Sequence, residues 1–276
     1  MSEFDNSLPF RRVEPANYGN AETAPSAADV IMEGSVRFGH HLAPTAIPFN
    51  GLLTNKLLVT LPGDDFARLL PQLEPISLLA GQELNPNPAT DFVYFPETAV
   101  ISHLYILEDG SSIGVAIVGK EGIVGLSAIF QPRGPSYCRK VTIGGNALRV
   151  RAAVIKQEFR QGKALQPLLL AYTGVRLAQL AQWAVCNGRH KLEERLCTWL
   201  LMIHDRAGEV PLPLTHEEIA HHLGARRAGI TSACNTLRDN GIIRYHRGQI
   251  GILDRTRLQA AACECYRTLR IFEANM

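Results

Sequence analysis

"GARRAGITSACNTLRDNGII", residues 224–243, opens on a glycine and two arginines and then turns apolar at Ile230, Ala233, Cys234 and Leu237. Those positions stand at i, i+3, i+4 and i+7, the spacing of one buried helical face. Asn240-Gly241 supplies the stop, because glycine accepts the left-handed backbone found just past a last turn. The opposite face carries Arg227, Ala228, Thr231, Ser232 and Asn235, which leaves it small and polar. Cations at a helix N-terminus oppose the helix dipole. Arg226 and Arg227 therefore predict an anion supplied from outside the helix.

The stretch just before it makes that anion specific. "LTHEEIAHHLG" places Thr215 three residues before Glu218, a capping box, and Ile219, Ala220 and Leu223 form its apolar side. Gly224 follows at once. Two short helices joined by a tight glycine turn make a helix-turn-helix, whose second helix enters the DNA major groove N-terminus first. After Gly241, "IIRYHRGQIGIL" reads as strand, turn, strand with Arg244 and Arg247 near the tip, a wing suited to the phosphate backbone. From Arg226 to Arg257 seven arginines face two acids, a local balance of +5 in a chain of net charge +2. The expected base readers are Arg227, Ala228, Thr231 and Ser232. Thr215, Arg226, Asn235, Arg244 and Arg247 are expected on phosphates.

Upstream, residues 1–50 are rich in Pro, Ala, Asn and Ser without a sustained period and read as a flexible arm. Residues 52–70 read as helical, interrupted at "LPGDD". Then come strand-like runs: "FVYF" (92–95), "AVISHLYIL" (99–107), "SIGVAIV" (112–118), "RKVTI" (139–143) and "ALRVRA" (147–152). "EDGS" predicts a hairpin between the second and third, and Gly144-Gly145-Asn146 another between the last two. Closely spaced antiparallel strands of this kind suggest a small barrel or roll.

Pro167 then suits the first turn of a long helix reaching about Cys186. Leu170, Gly174, Leu177, Ala181 and Ala184 alternate at steps of four and three, a dimerisation seam with small residues for close approach. "HKLEERLCTWLLMIHDRAG" is a second amphipathic helix stopped by Gly208, and Pro211 and Pro213 mark a connector. The expected domains are an arm (1–50), a β-roll sensor (51–163), a dimerisation helix (164–188) and a winged helix-turn-helix (189–276).

No apolar run of about eighteen residues exists to span a membrane, and "MSEFDNSLPFRRVEP" lacks a signal-peptide core. A cytoplasmic chain is expected. The six cysteines (138, 186, 197, 234, 263 and 265) then read as reduced packing residues. Cys263-x-Cys265 is too short for the usual zinc spacing, so neither metal nor cofactor is expected.

The chain resembles the Crp-Fnr family of bacterial transcription regulators from about Leu52 to Arg270. The match is closest in "LPLTHEEIAHHLGARRAGIT" and "LRDNGIIRYHRGQIGILD", with "FVYFPETAVISHLYILEDG" resembling a β-roll of that family. The resemblance implies an α+β fold: an N-terminal antiparallel, cyclic-nucleotide-binding-like β-roll, a long dimerisation helix, and a C-terminal winged helix-turn-helix. It also implies double-stranded DNA and a second copy of the chain as partners, with RNA polymerase and a small-molecule effector beside them.

Two departures matter. Where the family presents Arg, Glu and a later Arg to the bases, the matching positions are Arg227, Ala228 and Ser232, so a TGTGA-type half-site is not expected. Where nucleotide-binding members carry a glycine-led glutamate and an Arg-Ser pair, this chain has Leu126 after Gly125, and Tyr137-Cys138. Arg133 and Arg139 lie nearby, out of register. These five, Leu126, Arg133, Tyr137, Cys138 and Arg139, are the effector-pocket candidates, for an effector other than a cyclic nucleotide. No cysteine precedes Cys138 to hold an iron-sulfur cluster. His103 is the β segment's one histidine for a haem, too few as well for a metal-dependent cupin enzyme, the alternative reading. No catalytic residue is expected.

Overall fold

The computed structural model describes residues 45–46, 53–84, 91–130, 137–208 and 211–274. All of them belong to one compact unit, His40–Met276. The expected arm lies outside the described residues apart from Thr45–Ala46. Those two form a short strand, β1, on the roll rather than part of a loose tail.

Two helices enter the roll, α1 (Lys56–Thr60) and α2 (Gly63–Leu69). Asn55 caps α1 by accepting from Leu58 N. Its amide, fully buried, donates to the carbonyls of Pro96 and Gly122, both at 2.9 Å. The strands follow: β2 (Glu74–Leu78), β3 (Phe92–Pro96), β4 (Val100–Ile106), β5 (Ser112–Val118), β6 (Tyr137–Ile143) and β7 (Gly145–Arg151). A one-turn helix, α3 (Leu126–Phe130), sits between β5 and β6. The sheets run β1-β2-β7-β3 and β5-β4-β6, antiparallel throughout. Ile76, Leu78, Ile101, Val118, Val124 and Val141 fill the space between them.

The hairpin expected at Gly144-Gly145-Asn146 is not there. β6 pairs only with β4 and β7 with β2 and β3, so Gly144 is a corner where the chain leaves one sheet for the other. One residue is too few to turn a strand back on itself. Asn146 O instead accepts from the N–H groups of Glu97, Thr98 and Ala99. That turn presses so close that a Cβ on Gly145 would lie 2.6 Å from Thr98 Oγ1. The Asp109-Gly110 hairpin between β4 and β5 forms as read.

α4 (Ala152–Arg160) leads to the long helix α5 (Leu165–Arg189). One side of α5 is anchored to the roll through Leu165, Leu169 and Tyr172, whose hydroxyl meets both the N–H and the carbonyl of Ile123. On its other side, Leu170, Gly174, Leu177, Ala181 and Ala184 are all exposed, Leu170 to 54% and Leu177 to 63%.

The C-terminal elements are α6 (Leu192–Ala207), α7 (His216–Leu223), α8 (Arg227–Asp239), β8 (Ile243–His246), β9 (Gln249–Ile252), α9 (Arg255–Ala261) and α10 (Cys265–Ala274). They share one core with the end of α5. That core reaches the roll through α7, which packs on β5. Ser112 Oγ lies 3.0 Å from His221 Nδ1, and a Cβ on Gly114 would come within 2.9 Å of the His222 carbonyl. A second tie is largely buried: Arg206 of α6 donates to Glu121 Oε1 at 2.7 Å and to Glu273 of α10.

Candidate nucleic-acid interface

Local chemistry builds the two helices as read from the sequence. Thr215 Oγ1 accepts from Glu218 N, and the Glu218 carboxylate accepts from Thr215 N at 2.8 Å, closing the capping box. Gly224 ends α7 in the left-handed region at φ +57°, where a Cβ costs about 1–2 kcal/mol. The backbone then re-enters a helix at Arg227. Ile230, Ala233, Cys234 and Leu237 are buried, and Asn240-Gly241 ends α8, with Gly241 at φ +68°. Arg195 of α6 donates to the Leu223 carbonyl and so pins the turn to the helix behind it.

The wing is a two-residue hairpin. His246 pairs with Gln249, and Arg247 and Gly248 both take positive φ, +46° and +76°. That is the pattern of a primed turn. Arg247 is the one non-glycine residue at positive φ among those described, a conformation in which an arginine is strained. The Pro-flanked Leu212 of the connector exchanges both backbone hydrogen bonds with Ile250 of β9, which fastens the wing to α7's approach.

One contact set was not visible in the sequence. The His216 ring stacks on Tyr245 of β8, centroids 4.2 Å apart, and its Nδ1 lies 3.0 Å from Thr231 Oγ1. Burial first, and then the charge of Arg227, hold this imidazole below the ordinary histidine pKa. A neutral ring thus ties α7, α8 and the wing together. Its only sequence signal is a histidine beside the cap.

The sequence-predicted residues divide by what they already touch. Arg226, Arg227, Ala228, Ser232, Arg244 and Arg247 are exposed on one side of the turn and wing. Arg227 Nε stands 3.8 Å from Glu217 Oε2, a loose pair with both side chains more than half exposed. Thr231 and Asn235 are half-buried, and the Thr231 hydroxyl donates to the Arg227 carbonyl. Thr215 uses its hydroxyl and its N–H within the cap. Of the seven arginines in this stretch, three are structural. Arg238 pairs with Asp239, Arg255 with Asp205, and Arg257 donates to the Asn240 carbonyl at the C-terminus of α8.

The effector-pocket candidates differ in what they touch. Leu126 packs with the helices behind the roll. Cys138 is buried, and burial pushes its thiol up to about 12. Arg133 lies outside the described residues. Arg139 is turned into the roll at 3% exposure, although its position in the sequence appeared out of register. It donates to Ser127 Oγ at 3.3 Å, faces Asp91 at 3.5 Å, and lies 5.7 Å from the Tyr137 ring centre. Its Nε has no partner among the described residues. Tyr137, paired in register with Tyr105, stacks on His103, the diagonal neighbour on β4, at 4.9 Å. Burial, followed by the charges of Arg176 and Arg139, brings His103 down to about 3, so it stays neutral.

Two helices joined at a glycine turn, a wing and a double-sheet roll define a class, the winged helix-turn-helix protein with a β-roll beside it. Residues 194–261 match the model of the Crp-like helix-turn-helix domain. Solved structures share the fold. A regulator of the Crp/Fnr family from Eubacterium rectale is 18% identical, covering 75% of this chain and 97% of its own, with a TM-score of 0.60. FixK2 from Bradyrhizobium japonicum is 22% identical, covering 69% and 98%, with a TM-score of 0.57. TTHA1359, a Crp/Fnr-family transcriptional regulator from Thermus thermophilus, is 22% identical, covering 68% and 98%, also at 0.57. Among curated proteins none matches in sequence. The C-terminal part of this chain thus carries a Crp-like helix-turn-helix domain, and the chain shares its fold with regulators of the Crp/Fnr family. Among the described residues no helix is long and apolar enough to cross a membrane.

Proposed function

We propose that the chain acts as a homodimer that binds a specific double-stranded DNA sequence, reading bases from the N-terminal half of α8. The observation that carries this reading is the exposed cluster of Arg226, Arg227, Ala228 and Ser232 beside an arginine-tipped wing. A phosphate supplies the anion, and a guanine edge the acceptors, that a helix N-terminus bearing two cations lacks. Arg227, Ala228 and Ser232 face outward and take the base edges, with Thr231 shaping the groove-facing surface from beneath. Arg226, Arg244 and Arg247 take phosphates, and Asn235 and Thr215 flank them. RNA polymerase is the further partner of such a regulator.

Dimerisation rests on the exposed stripe of α5. An isolated helix with leucines at 170 and 177 facing water is costly, and a second copy of the same stripe covers them. Leu177→Glu would set like charges across that seam. Sedimentation should then show monomers, and operator binding should fall with them. An unchanged dimer with unchanged DNA affinity would remove α5 as the interface.

The roll's effector, in this reading, is not a cyclic nucleotide. Burying a phosphate anion without a paired cation costs several kcal/mol. Arg139, the buried cation present, is already balanced by Asp91, while Leu126 offers nothing to a ribose hydroxyl. Calorimetry with cyclic AMP and cyclic GMP should show no micromolar binding. Micromolar heat that disappears in Arg139→Ala would overturn this part and name the residue responsible.

A further inference from the structure

Four side chains that are far apart in the sequence converge where α5 ends and α10 begins. Cys186 and His190 come from the last turn and the cap of α5. Cys263 and Cys265 come from the junction of α9 and α10. The three sulfurs and one ring nitrogen all lie within 4.8 Å of one another. Cys186 Sγ is 3.6 Å from Cys263 Sγ, and Cys265 Sγ is 3.5 Å from His190 Nδ1. We propose that these residues form a zinc site of the Cys3His type, clamping the end of α5 to the start of α10.

The distances are those of a tetrahedron. Two sulfurs each about 2.3 Å from a zinc ion stand about 3.8 Å apart, and a sulfur and an imidazole nitrogen slightly less. An iron-sulfur cluster places iron and sulfide between its ligands, so it would need these thiols spread much wider. Three soft thiolates with one imidazole suit zinc rather than magnesium or calcium, which take oxygen ligands.

The surroundings are arranged as a metal's outer contacts usually are. His190 Nε2 faces Glu264 Oε2 at 3.2 Å. Donation from Nε2–H to that carboxylate leaves the Nδ1 lone pair directed at the sulfurs, the tautomer a ligand needs. Gln182 Nε2 donates to Cys265 Sγ at 3.0 Å, and Thr198 Oγ1 lies 3.1 Å from Cys263 Sγ. Binding releases the thiol protons to solvent and leaves a site of net charge −1. Arg195 lies within electrostatic reach of Cys186 and Cys263, and its Nε is buried with no partner among the described residues.

A disulfide between Cys186 and Cys263 is the competing chemistry, and it leaves His190, Glu264 and Cys265 without a reason to converge. The full chain, purified under reducing conditions without chelator, should carry about one zinc per chain by elemental analysis. After chelator treatment, stoichiometric cobalt(II) should give the intense visible bands of a tetrahedral, thiolate-rich site. His190→Ala and Cys263→Ser should lose most of the zinc, and Cys234→Ala, a buried cysteine of α8 outside the cluster, should keep it. Chelation should also lower the melting temperature of the wild type. Zinc-free wild type with no tetrahedral cobalt spectrum would overturn the site. So would a Cys186–Cys263 disulfide found by mass spectrometry of freshly alkylated protein, or His190→Ala and Cys263→Ser binding as much zinc as wild type.

Discussion

The two ends of this molecule handle positive charge in opposite ways. Around α7, α8 and the wing, arginines that the fold does not use project outward from a closed apolar core. In the roll, Arg139 and His103 point inward, one balanced by Asp91 and the other kept neutral by burial. Outward cations cost the fold almost nothing and stay open to a partner. Inward ones are compensated before any partner arrives. The arginines of the turn and wing are therefore open to an anion, whereas Arg139 meets Ser127 and Asp91 and keeps only its Nε without a partner among the described residues.

Acid should separate the two ends most strongly. His222 of α7 is buried against the roll, Nε2 3.4 Å from Thr142 Oγ1 and Nδ1 2.7 Å from the Glu218 carbonyl. Burial brings it down to about 4, with Lys140 and His221 nearby acting in the same direction and Glu218 opposing. A histidine kept neutral in the fold but free to protonate when unfolded loses stability as pH falls below about 6.5, levelling off below its folded value. Between pH 7 and 4.5 this group alone should cost about 2–3 kcal/mol. Denaturant melts of wild type and His222→Gln at both pH values should show a smaller acid loss in the variant. Equal losses would mean that His222 is not the group that acid reaches.

The contrast sharpens at the reading surface. Arg227→Ala should cost about 1–3 kcal/mol against the matched operator and relax preference at one base position. Arg244→Ala should weaken all sequences alike and reduce the salt slope by about one unit. Titrations on matched, mutated and random DNA tell the two apart. Equal losses from Arg227→Ala on specific and random DNA would make Arg227 another phosphate contact.

The smallest effect concerns the wing tip. Asn accepts left-handed backbone better than Arg, so Arg247→Asn should raise folding stability by less than about 1 kcal/mol while weakening DNA binding generally. Stability and affinity moving in opposite directions would mark strain retained for a phosphate contact. A variant that loses both would show that the arginine instead supports the hairpin.

The helix-turn-helix was legible because its signals are local. A cap, a glycine, a period of 3.6 and a glycine stop fall within thirty residues, and each fixes the backbone without reference to the rest of the chain. The corner at Gly144 was not legible. A glycine between two strands looks the same whether the strands pair with each other or separate into two sheets, and only β2, β3 and β4 decide. The inward turn of Arg139 likewise depends on Asp91 and Ser127. Cys263-x-Cys265 read as an incomplete ligand pair because Cys186 and His190 stand more than seventy residues away. The length of α5 and the fold of α9 bring them together.

Gly114 has a consequence for how the two ends communicate. With the His222 carbonyl only 2.9 Å from where a Cβ would stand, β5 and α7 meet with no clearance. A cushion of side chains would absorb a small push, but backbone seated on backbone hands it on undamped. Position 114 therefore admits no larger residue without reseating α7.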